Sequence, residues 1–102
     1  MPLAIAVHPD DNVATLIDPV SPSEEAEILL GSARSLLRAT ASIPSGHKIA
    51  LRDIPQGHPM IKFGQRIGCA TVPIRAGDHV HVHNVAGFAS HSRQTANGKR
   101  QT

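Results

Sequence analysis

Ile43-Pro44-Ser45-Gly46-His47-Lys48-Ile49, Ile54-Pro55-Gln56-Gly57-His58-Pro59-Met60 and Ile74-Arg75-Ala76-Gly77-Asp78-His79-Val80 are three copies of one pattern, Ile-x-x-Gly-x-x-apolar. Each copy reads as a strand ending at isoleucine, a two-residue turn, a glycine supplying a positive φ, and a new strand. Proline in the second place of two copies fixes φ for the first corner of such a turn. A turn signature used three times between residues 43 and 80 predicts an all-β domain dense in hairpins and kinks.

Working outward, Ile61-Lys62-Phe63 and Cys69-Ala70-Thr71-Val72 read as short strands punctuated by Gly64 and Gly68. Leu3–Val7 and Val13–Ile17 flank the turn His8-Pro9-Asp10-Asp11-Asn12 and read as a hairpin or a tight corner. Residues 21–42 carry two readings. Ser23 followed by Glu24, Glu25 and Glu27 resembles a helix cap with acids in the first turn, and Leu29, Leu30, Ala33, Leu36 and Leu37 fit one helical face. Gly31-Ser32 interrupts that face, and the same leucines flanking a Gly-Ser turn would make a hairpin. Local signals favour the helix. From Ala86 to Thr102 the chain is polar and without periodicity, which predicts a domain over 1–85 and a flexible tail over 86–102.

The third copy runs on into His79-Val80-His81-Val82-His83-Asn84. On a strand, alternate residues leave the same face about 6.5–7 Å apart, so neighbouring imidazoles can converge on one metal ion or one anion. The valines favour a strand and would point to the opposite, apolar face. Three readings stand side by side: an amphipathic edge strand with solvated histidines, a metal site, and a pH-sensitive or anion-binding patch. The amide of Asn84 can both donate and accept, which suits a site that orients oxygens.

The chain has 102 residues, 40% of them hydrophobic, with two Phe and no Trp or Tyr. These values bound it to one small domain with an aliphatic core and little room for a complete deep active site, which favours a module working against a partner. A net charge of +2 with dispersed basic residues and so few aromatics argues against nucleic-acid binding. Signal-peptide and membrane-span patterns are absent, so a cytoplasmic protein is expected. The single Cys69 reads as a small buried residue rather than a nucleophile. Exposed edge strands predict self-association when the chain is made alone.

Taken together, Gly46-His47-Lys48, Lys62-Phe63-Gly64 with Ile67-Gly68, and His81-Val82-His83-Asn84, in that order, with Asp11-Asn12-Val13-Ala14 ahead of them, resemble the SAF-type β-clip module of altronate and galactarate dehydratases and of sulfolactate sulfo-lyase. The resemblance spans most of residues 3–85 and implies an all-β SAF-type β-clip with at most one short helix. For residues 21–42 it implies further β structure, against the local helix signals. It also implies the separate small subunit of a hydroxy-acid (sugar-acid) dehydratase or lyase, working with a large dehydratase subunit on a hydroxy-acid substrate. The implied cofactor is a divalent metal, iron or manganese, whose site the partner subunit completes. The implied roles are His81 and His83 as metal ligands, His83 and His47 as catalytic groups, and Lys48, Asp11, Asn12 and Asn84 as substrate-binding residues. His79 and His58 fall outside the family motifs, and His8 and His91 read as surface residues. The alternative is a non-catalytic sugar-acid-binding or oligomerisation module.

Overall fold

The structure, a computed structural model, describes residues 1–87 and is all-β in that range. Nine strands build it: β1 (Leu3–Ala6), β2 (Val13–Leu16), β3 (Glu25–Leu30), β4 (Ala33–Arg38), β5 (Lys48–Ala50), β6 (Pro59–Lys62), β7 (Gln65–Ala70), β8 (His79–Val80) and β9 (Val85–Ala86). Six form one sheet in the order β4-β3-β1-β2-β5-β8, and three form a second in the order β6-β7-β9. Ala86, expected at the start of the tail, pairs with Cys69 in this second sheet. The rest of the expected tail, 88–102, lies outside the described residues.

The repeated pattern does what its glycines require, one residue later than expected. The carbonyls of Pro44, Pro55 and Arg75 accept from the backbone N–H of His47, His58 and Asp78 at 3.2, 3.0 and 2.9 Å. The corners are therefore Ser45-Gly46, Gln56-Gly57 and Ala76-Gly77, with proline just ahead of the first corner rather than on it. Each glycine occupies the left-handed region, with φ of 85°, 85° and 91°. At Gly77 a side chain is excluded twice, because a Cβ would also collide with the Arg38 carbonyl oxygen. The three isoleucines, no more than 2% exposed, make isolated bridges, Ile43 with Val20 and Ile54 with Ile74.

Residues 21–42 fold as the hairpin. Leu30 pairs with Ala33 across a two-residue Gly31-Ser32 loop in which Gly31 has φ of 60°. The helix expected from local signals is absent because β3 finds a partner far away in sequence: it lies parallel to β1, with Leu3 opposite Glu27 and Ala6 opposite Leu30. Ala26 and Ile28 alternate into the core, a period of two that a helical leucine pattern masks.

Two aliphatic clusters fill the interior. One gathers Leu16, Val20, Ile28, Ile43 and Ile49 around the alanines of β1, β2 and β3. The other gathers Val13, Ile54, Met60, Ile74 and Val80 between the two sheets. Phe63 takes no part and stands 59% exposed. Cys69 is buried, as expected.

Candidate functional site

The expected single strand through the histidine run stops at Val80. Beyond it, residues 81–84 make a turn, closed by the Asn84 N–H donating to the His81 carbonyl at 3.1 Å. Asn84 causes the stop. Its Oδ1 accepts from the His81 N–H at 3.0 Å and its Nδ2 donates to the His79 carbonyl at 2.8 Å, so the side chain takes the backbone groups that a longer strand would use. Val80 is buried, whereas Val82, expected on the same apolar face, is 82% exposed at the apex of the turn.

The imidazoles converge nonetheless, because a second element supplies one of them. β5 and β8 are antiparallel with Lys48 opposite Val80 and Ile49 opposite His79, and one further step of that register sets His47 against His81. Those two rings stack with centroids 3.9 Å apart. His47 Nδ1 lies 2.9 Å from His79 Nε2, a hydrogen bond that one neutral ring donates and the other accepts. Ligating nitrogens of His47, His79 and His81 all fall within 4.8 Å of one another. His47 is held from behind, since its carbonyl accepts from Leu16 N at 2.9 Å and Gly46 N donates to Leu16 O at 2.7 Å.

His83 stands beside this triad, its ring 5.0 Å from that of His79 and tilted by 47°. The structure therefore puts His79, which the family motifs do not demand, at the centre of the cluster, and His83 at its edge. The signal for His79 was its place two residues before His81. What the sequence hid was the β5–β8 register that brings in His47.

Lys48 and His81 edge a cavity of about 240 Å³ whose other walls are Met60, Val80, Val82, Val85 and Gly87. Burial and the nearby Lys62 ammonium push the Lys48 pKa down. Burial, with the charges of His83, His47 and His81, lowers His79. Burial, with His47, Lys48 and His83, lowers His81. Both effects favour neutral imidazoles at neutral pH, the form that binds metal.

Asp11 and Asn12 sit elsewhere, at 2% and 7% exposure, with their polar atoms committed to backbone. Asp11 accepts from Val7 N and His8 N at 3.3 and 3.2 Å and from Gly64 N at 2.8 Å. Burial alone would raise its pKa, but the backbone N–H groups of Gly64, His8 and Val7 outweigh burial and lower it. Asn12 donates to Pro59 O and accepts from Ile61 N at 2.9 and 2.7 Å. Both residues tie the 8–12 turn to the β6–β7 hairpin.

Three imidazoles on this span fit a divalent first-row ion, and nitrogen donors suit iron better than manganese. Three ligands are fewer than the roughly four to six that such an ion takes.

Comparisons with known proteins agree with this architecture. Residues 2–87 match the family described as the altronate/galactarate dehydratase SAF domain. Altronate dehydratase of Escherichia coli K12 is 40% identical over 80 residues, covering 78% of this chain and 15% of that enzyme. The (2R)-sulfolactate sulfo-lyase subunit alpha of Chromohalobacter salexigens is 50% identical over 44 residues, covering 43% of this chain and 47% of that subunit. Its namesake from Paracoccus pantotrophus is 44% identical over 48 residues, 47% of this chain and 72% of the relative. The chain thus spans a small part of the long dehydratase it matches.

Proposed function

The chain belongs to the family of altronate/galactarate dehydratase SAF domains, and from that premise we propose that it is the small, histidine-bearing component of a hydroxy-acid dehydratase or lyase whose site is completed by a large partner. The observation that carries this reading is the convergence of His47, His79 and His81 within 4.8 Å at an open rim beside Lys48. A cluster of donors with one side unfilled is what a shared site leaves on each of its halves. The matched relatives support a larger partner, because the long dehydratase carries a region like this one as 15% of its length, and the sulfo-lyase relatives are named as subunits.

The reaction class is elimination: a base from the partner takes the α-proton from the carbon beside the carboxylate, hydroxide (sulfite from sulfolactate) leaves the next carbon, and the enol tautomerises to a 2-keto acid. His47, His79 and His81 would hold a divalent ion, iron or manganese, which supplies Lewis acidity at the carboxylate and the departing hydroxyl. Lys48 pairs with the substrate carboxylate, an interaction that offsets the burial now lowering its pKa. His83, at the exposed edge of the cluster, donates the proton that turns the departing hydroxide into water. Asn84 fixes the turn that aims these rings, committing one donor and one acceptor position of its amide to the backbone.

The test is reconstitution of the tagged chain with the large dehydratase-type chain of its own host, assayed against altronate, galactarate and sulfolactate. His81→Ala should remove bound metal, and Lys48→Ala and His83→Ala should each lower kcat/KM. Wild-type kcat/KM in all three variants would overturn the assignment.

A further inference from the structure

The β6–β7 hairpin ends in a two-residue loop, Phe63-Gly64, closed by Lys62 opposite Gln65. Both loop residues have positive φ, 55° and 72°. Glycine adopts that conformation freely, whereas phenylalanine is strained there, and such strain persists only where the surroundings enforce it. Here they do. Asp11 accepts from Gly64 N, and the His8 ring packs so closely against Gly64 that a Cβ would come within 2.7 Å of it. A buried carboxylate and a packed ring thus hold an aromatic side chain out in solvent, 59% exposed, with the Lys62 ammonium 4.9 Å from its ring centroid. Ile67, the extra residue of the bulge between Met60 and Ile61, adds a second exposed apolar side chain at 39%.

The hairpin that carries the tip also walls the histidine site. Met60, two residues before Lys62 on β6, lines the cavity of Lys48 and His81, and the charge of Lys62 is felt at Lys48. Val82, 82% exposed, rises from the histidine turn and lines the same cavity. Across both segments, 59–70 and 79–86, there is no Asp or Glu, while Lys62 and Arg66 are basic. An aromatic flanked by cations and apolar neighbours is the composition of a protein-binding hot spot, and its charge selects an acidic counterpart.

We propose that the β6–β7 tip, with Phe63 as anchor and Lys62 and Arg66 as charged flanks, docks in an apolar pocket rimmed by carboxylates on the large dehydratase-type chain. This docking rests on the shared-site reading above and gives that site its closing contact. A partner seated on the tip holds the same hairpin whose Met60 walls the Lys48 cavity.

The test measures binding of the full chain to the large dehydratase-type chain of its own host by calorimetry. Phe63→Gly relieves the positive-φ strain, so it should keep or raise Tm while weakening binding about tenfold or more. Lys62→Glu with Arg66→Glu should weaken binding and invert its sensitivity to salt, so that added salt now restores affinity. Wild-type affinity in both variants, with the large chain still bound, overturns the docking assignment and leaves the shared-site reading intact. Failure of the wild-type chain to bind the large chain overturns both.

Discussion

Asp11→Asn separates a framework role for this carboxylate from a substrate-binding one. The carboxylate now accepts three backbone N–H groups, two at Oδ2 and one at Oδ1. The amide must turn its NH2 toward one side, and the smaller loss comes from facing Gly64 N. That forfeits one charge-assisted bond, about 1.5–3 kcal/mol, and weakens the other two to neutral bonds at roughly 1 kcal/mol each. The sum is about 3–5 kcal/mol, against the roughly 5–15 kcal/mol that holds a domain folded. Urea unfolding followed by far-ultraviolet circular dichroism should show the midpoint dropping by about 2 M for a protein of this size. The sign with pH follows from the lowered pKa. Stability from Asp11 is fully present above the carboxylate's unfolded pKa and is lost as pH falls through the lower folded value, a loss that Asp11→Asn abolishes. An unchanged midpoint together with a raised KM in the reconstituted complex would refute the framework account and return Asp11 to the substrate.

Asn84→Ala removes the two side-chain bonds of the histidine turn, so the domain should lose about 1–3 kcal/mol and its affinity for cobalt(II) should fall, measured by urea titration and visible spectroscopy. Gly77→Ala meets the Arg38 carbonyl and a φ of 91°, and a loss of at least about 1–3 kcal/mol in thermal unfolding is expected. In the metal-free chain, His79 and His81 should titrate below the ordinary imidazole range by proton NMR. Because their folded pKa values are depressed, the stability they contribute is present above the unfolded imidazole pKa and lost as pH falls through the folded values.

What the sequence disclosed was mostly local. The glycine turns, the β1–β2 pairing and the aliphatic core follow from φ preferences, alternation and the scarcity of aromatics, all legible within a few residues. Even the Gly31-Ser32 hairpin was visible, but its leucines satisfied two periods at once, and only the distant pairing with β1 decides between them. The site was half legible for the same reason. Gly46-His47-Lys48 and the histidine run both announce themselves, yet that His47 meets His81 depends on the β5–β8 register. Asp11 and Asn12 read as polar groups awaiting a ligand, because sequence does not show which backbone N–H groups a carboxylate will find.

The turn that carries His81 and His83 is also the passage by which the chain leaves the six-stranded sheet at β8 and enters the three-stranded sheet at β9. The same four residues therefore place His81 and His83 and join one sheet to the other. If a ligand that gathers these rings restrains the joint between the sheets, then by thermodynamic reciprocity a partner that braces the small sheet should raise the affinity for that ligand. Amide exchange in β6 and β7, strands that carry no histidine of their own, should then respond to what is bound at the histidines.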